Sequence, residues 1–248
     1  MRRSHAVSAL LLVVAACGGD EHAAGTTSEA TSSATSTDAP TTSEARTTTE
    51  PPTTLAAIPA GTGPIEPGTY RVAKSAWSFV DFKVTIPEGW SVQYGHVYQK
   101  HYDTEDEFGF YAVMIDAVHA DPCAGTSGEL EEVGPGVEDL AEALLQQPGP
   151  LASRRDTTFG GYPAIEITLN IPAGYDLQPC NIGEIGLQIW YSVPADKHFV
   201  LLPTGPALVY IVDVDGRPQV FVAQLRSNTS MEDFRELEAV LRSIRIET

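Results

Sequence analysis

Beyond Ile58 the apolar residues recur with two periods, and each predicts a different element. Val137, Leu140, Ala141, Leu144 and Leu145 fall at i, i+3, i+4, i+7 and i+8, the spacing of one helical face. That helix starts after Gly134-Pro135-Gly136 and stops at Pro148-Gly149. A second helix opens at Ser230, has Asp233 in capping-box spacing, and carries Phe234, Leu237, Leu241 and Ile244 on one face. Between Ala164 and Ile171 the period is two: Ile165, Ile167 and Leu169 point inward against Glu166, Thr168 and Asn170, as in a half-buried strand. Further strands are expected at Gly68-Thr69-Tyr70-Arg71-Val72, at Phe79 to Ile86 before the stop Pro87-Glu88-Gly89, and from Trp90 onward. Phe108 to Val118 and Ile185 to Val193 also read as strands, as does the short terminal run Ser243 to Glu247. Leu208 to Val214 pairs with Gln219 to Leu225 across Asp215-Gly216, a dipeptide suited to a tight hairpin turn. Antiparallel neighbours on short connections, with two separated helices, give an α+β fold: an antiparallel sheet flanked by helices.

The first residues follow another logic. Arg2 and Arg3 precede the apolar run Ala6 to Ala16, which is too short to span a bilayer and has the order of an export signal. Val14-Ala15-Ala16-Cys17 resembles the bacterial lipobox, which implies a signal peptide at 1–16 and a diacylated Cys17 as the mature N-terminus. An ordinary cleaved secretory signal with an incidental cysteine is the alternative, and also exports the domain. Positions 18 to 57 hold 17 Ser or Thr residues among Ala, Pro and Glu. Such a stretch cannot bury enough surface to offset the entropy of ordering, so 17–57 is expected to be a disordered tether. Its mean span is roughly 35 Å. It resembles the Thr/Pro-rich tethers of actinobacterial lipoproteins, which are O-mannosylated; an unmodified spacer is the other reading. Residues 58–248 then form a single globular domain.

Charge narrows the partners. The formal net charge is −18, with 33 Asp and Glu against 15 Lys and Arg. So acidic a surface repels nucleic acid and anionic headgroups, leaving the covalent lipid as the expected link to the membrane. With Cys17 assigned to lipid, Cys123 and Cys180 remain as a pair in an oxidising compartment, and a disulfide is expected between them. Neither sits in a CxxC.

Candidate chemistry is sparse. His101-Tyr102-Asp103-Thr104-Glu105-Asp106-Glu107 offers a histidine and four carboxylates: His101, Asp103, Glu105, Asp106 and Glu107 could hold a divalent cation weakly, although such runs are more often solvated loops. Asp213-Val214-Asp215-Gly216 lacks the acidic spacing of a calcium loop and reads as a turn. His96, His119 and His198 are scattered without zinc spacing, and no GxSxG elbow or P-loop occurs. Tyr94, Tyr98, Tyr102, Phe108, Phe110 and Tyr111 cluster along the chain and serve either a core or a ligand cleft. No catalytic residue and no cofactor is assigned.

Several phrases occur in order: Pro67-Gly68-Thr69-Tyr70, Ile86-Pro87-Glu88-Gly89-Trp90, Asp121-Pro122-Cys123, Gly160-Gly161-Tyr162, Asp213-Val214-Asp215-Gly216 and Ser243-Ile244-Arg245-Ile246-Glu247. Together they resemble a group of actinobacterial exported proteins. The Pro87-to-Trp90 strand end, the Gly160-to-Pro163 turn and the closing Ser243-Ile244 are similar to the PsbP-like fold, which implies an antiparallel sheet sandwiched by helices. The resemblance implies an architecture and carries no catalytic residues. The functional expectation is a membrane-anchored extracytoplasmic lipoprotein with a non-enzymatic binding or accessory domain for an envelope protein. The alternatives are a carrier for a small ligand in a sheet–helix cavity and a hydrolase without a recognisable motif.

Overall fold

The computed structural model describes residues 55–182 and 185–247. The expected signal at 1–16, Cys17 and the tether up to residue 54 lie outside the described residues. In chain order the first strands are β1 (Ala56–Ala57), β2 (Gly63–Pro64), β3 (Gly68–Val72), β4 (Asp81–Ile86), β5 (Trp90–Gln93) and β6 (Val97–Lys100). There follow β7 (Phe108–Val113), β8 (Ala117–His119), β9 (Leu130–Glu132) and α1 (Val137–Gln146). After α1 come β10 (Leu151–Phe159), β11 (Tyr162–Asn170), β12 (Leu187–Ser192) and β13 (Lys197–Leu201). The chain closes with β14 (Ala207–Val214), β15 (Arg217–Gln224), α2 (Met231–Ser243) and β16 (Arg245–Glu247).

An antiparallel eight-stranded sheet, ordered β10-β11-β14-β15-β7-β6-β5-β2, forms the middle layer. The alternation of side chains in a strand sends successive residues to opposite faces, and here both faces are apolar. In β7, Phe108, Phe110 and Ala112 join one core, together with Phe82 and Val84 of β4 and Leu237, Val240 and Leu241 of α2. Val113 joins the other core, with Leu140, Ala141 and Leu144 of α1 and Leu187, Ile189 and Trp190 of β12. Each helix therefore shares its layer with a small sheet: β1-β3-β4-β16 beside α2, and β13-β12-β8-β9 beside α1.

The expected turns and caps are in place. Asp215 and Gly216 take positive φ of 54° and 79°, joining β14 to β15 by a two-residue turn whose twist matches the hairpin. The Ser230 side chain accepts from the Asp233 N–H at the start of α2 (3.1 Å).

Other expectations are corrected. Glu166, expected on a solvent face, is only 8% exposed. Ile165, Ile167 and Leu169 are buried as expected and Asn170 is exposed, but β11 lies between β10 and β14 and the face carrying Glu166 borders the groove under Glu238, Leu241 and Arg242 of α2. The Arg155 guanidinium holds the carboxylate at 2.6 Å. Phe108 to Val118 is two strands, since the chain leaves the central sheet after Val113 and re-enters a different sheet as β8. Ala56 and Ala57, expected in the tether, pair with Tyr70 and Arg71 as β1.

Candidate functional site

The connection from β3 to β4 runs Ala73-Lys74-Ser75-Ala76-Trp77-Ser78-Phe79-Val80, so the strand expected from Phe79 begins only at Asp81. It folds back on itself: Ser75 N–H donates to Ser78 O (2.7 Å), and Trp77 N–H donates to Ser75 Oγ (3.1 Å). Its far end is tied to the central sheet by the fully buried Gln219 of β15, whose Oε1 accepts from Phe79 N–H (3.0 Å) while Nε2 donates to Val220 O (3.0 Å). The indole of Trp77 is thereby set on a braced loop.

Opposite stands the turn between β5 and β6. Tyr94 is held at φ 51°, in the left-handed region that side chains avoid, with its ring 73% exposed. Gly95 follows at φ 74°, and a Cβ there would stand 3.2 Å from Ala60 Cα, so glycine lets the N-terminal segment cross the turn. His96 Nδ1 lies 2.8 Å from Tyr94 O, a geometry that requires Nδ1–H as donor and leaves Nε2 with a free lone pair. Burial lowers the His96 pKa and outweighs the raising effect of that bond, so the ring is neutral at pH 7.

These two pieces and the segment around Ile58 enclose a pocket of about 310 Å³. Trp77 and His96 stack at its side, centroids 3.8 Å apart and planes within 14°. Phe82 and Tyr98 also line it. Tyr98 is 1% exposed, its ring is stacked on Phe110 at 4.6 Å, and its hydroxyl has no hydrogen-bond partner. Burial raises that hydroxyl's pKa, so it remains an O–H. The Tyr98 ring helps wall the pocket, while its hydroxyl is buried away from the surface.

The charged residues in the pocket's lining are basic. Lys74 and Arg71 line it, and no Asp or Glu does. Arg71 is engaged by Asp81 (2.6 Å) and Glu247 (3.0 Å), carboxylates that line the adjoining groove together with Lys74, whose backbone N–H donates to Asp81 Oδ1 (2.7 Å). Lys74 makes no ion pair among the described residues.

A larger groove, about 560 Å³, lies between α2 and the β10–β11–β14 end of the sheet. It is where a sheet–helix cavity was expected, but it is polar and its groups answer one another. Glu166 is held by Arg155 and Tyr210, Arg242 pairs with Glu238 at 3.2 Å, and Arg245 donates to the carbonyls of Arg242 and Ile244. Burial, then Glu166, pushes the Tyr210 pKa up.

The remaining sequence candidates fall elsewhere. Cys17 lies outside the described residues. Cys123 and Cys180 form the disulfide. The acidic loop does not gather as a ligand set: His101 faces Asp233 (3.4 Å), Asp106 meets Asn228, Glu107 accepts from Gln99 (2.9 Å), and Asp103 and Glu105 are exposed. Among the described residues no group of three or more His, Cys, Asp or Glu is placed to hold a metal. Of the aromatic cluster, Phe108 and Phe110 fill the core, Tyr111 stacks on Phe199, Tyr102 is exposed, and Tyr94 and Tyr98 reach the pocket. Trp77, the pocket's central ring, was missed; its signal was a tryptophan inside a polar connection, where a core role is hard to satisfy.

His119 and His198, scattered in sequence, meet across the small sheet at 2.9 Å. His119 is fully buried with Nδ1 unpartnered, and burial and then the neighbouring imidazole lower its pKa below 6.5. A histidine that resists protonation only when folded binds more protons unfolded, so stability is full above about pH 6.5 and falls as pH drops toward the depressed value. His96 acts with the same sign. The urea midpoint is expected to fall between about pH 7 and pH 5, before most carboxylates titrate; a flat profile there would contradict a buried, neutral His119.

No protein-family model and no curated protein sequence matches the chain. Among solved structures, cyanobacterial PsbP (CyanoP) from Synechocystis sp. PCC 6803 is similar over 74% of this chain and 95% of that one, at 10% identity and a TM-score of 0.34. Likeness so loose leaves function to be read from the residues themselves.

Proposed function

We propose that this chain is an exported lipoprotein, anchored through Cys17, whose folded domain is a non-catalytic binding module for a small ligand. Two strands of support are independent. The disulfide joining Cys123 to Cys180 fits an oxidising compartment outside the cytoplasm. The ligand site is the pocket between the β3–β4 connection and the β5–β6 turn, in the size range of small-molecule sites and mostly apolar with a few polar groups.

The observation that carries the binding reading is the pocket's aromatic lining, with Trp77, Phe82 and Tyr98 in its walls and the exposed Tyr94 at its rim. A planar guest among these rings buries apolar surface that the empty pocket leaves open. The test is a titration with indole followed by amide NMR. Saturable shifts are expected at Ala73 to Ser78 and at Tyr94 to Tyr98; shifts scattered over the surface, or none, count against the pocket. Binding of a partner protein remains compatible with the exposed Tyr94 at the pocket's rim.

A further inference from the structure

We infer that the ligand of the Trp77 pocket is a small planar ring compound bearing an anionic group, its ring among the aromatic side chains and its charge at Lys74. This deepens the proposed function and rests on the pocket being the binding site. Three features point the same way. The walls supply flat, polarisable surfaces in Trp77, Phe82 and Tyr98, which favour a planar guest. The polar groups are sparse, with the His96 Nε2 lone pair a distinct acceptor among them.

Charge decides the rest. In a chain with more than twice as many acidic as basic residues, this pocket is lined by Lys74 and Arg71 and by no carboxylate, with Asp81 and Glu247 behind them in the adjoining groove. Arg71 is neutralised by Asp81 and Glu247, so Lys74 is the cation left to meet a ligand. The surrounding negative surface would repel an anion at long range, and salt screens that repulsion beyond about 10 Å. An anion that arrives finds a charge-assisted hydrogen bond at Lys74, stronger than one between neutral partners. A cationic guest of the same shape meets only repulsion there.

The experiment compares three ring compounds of one shape and different charge: indole, indole-3-acetate and tryptamine. Each is titrated calorimetrically into the full chain carrying Cys17→Ala, which removes the lipid without touching the domain. The expected order is indole-3-acetate about tenfold tighter than indole, with tryptamine weakest. Lys74 is exposed, so Lys74→Gln leaves the fold intact; it should erase the advantage of indole-3-acetate over indole. Equal affinities for all three, or tryptamine tightest, would overturn the anionic assignment while the pocket reading stood. Failure of all three to bind would overturn both.

Discussion

Replacing Cys123 and Cys180 together by serine is expected to lower the stability of the domain by about 4 kcal/mol. The bridge spans 57 residues of sequence, and the chain-entropy cost of leaving a loop of that length open in the unfolded state sets this magnitude. The loop it closes carries β9, α1, β10 and β11, and the chain is irregular at both cysteines. Around it Asn181 N–H donates to Cys123 O (2.9 Å) and Gln188 N–H to Pro122 O (3.0 Å), while Cys180 is buried in the α1-side core. With the bridge gone, these contacts must close the loop unaided. The melting temperature should drop by on the order of 10 °C, and a reducing agent should produce the same drop in the parent chain but none in the double variant. Equal melting temperatures with and without reductant would remove the disulfide from the account of stability and weaken the case for an oxidising compartment.

The second large effect concerns location. Cys17→Ala should abolish incorporation of labelled palmitate, because the cysteine sulfur is the acyl acceptor that the Val14-Ala15-Ala16-Cys17 reading requires. Each buried methylene contributes about 0.8 kcal/mol, and two acyl chains together hold a protein stably where one holds it marginally. Nothing else described compensates: no helix among the described residues is long and apolar enough to cross a membrane, and the chain's charge of −18 opposes anionic headgroups. Persistent palmitate label in Cys17→Ala would place the lipid elsewhere, or nowhere near this sequence signal.

How far the fold was legible follows from what each segment had to bury. Both helices declared themselves, since Leu140, Ala141 and Leu144, like Leu237 and Leu241, answer to one apolar face each. The Asp215-Gly216 hairpin was equally plain, because its turn demands residues that tolerate positive φ. β10 was not, and the reason is physical: Leu151-Ala152-Ser153-Arg154-Arg155-Asp156-Thr157-Thr158-Phe159 is an edge strand, exposed at most positions and held by backbone pairing to β11, which leaves no apolar period to read. Glu166 was misassigned because a carboxylate in an alternating strand signals solvent, whereas here Arg155 and Tyr210 satisfy it beneath α2. The pocket was half legible. Tyr94 and Tyr98 stood out as aromatics close in sequence, but Trp77 joins them only through tertiary structure, as His198 joins His119.

The central claim is that the aromatic pocket around Trp77 takes a planar ring. Trp77→Ala tests it, with indole affinity and ligand-free stability measured in the same preparation. Trp77 is half-buried on a connection between strands, so the empty domain should stay folded while indole binds roughly tenfold more weakly or not at all. A folded variant that binds indole as tightly as the parent would contradict it.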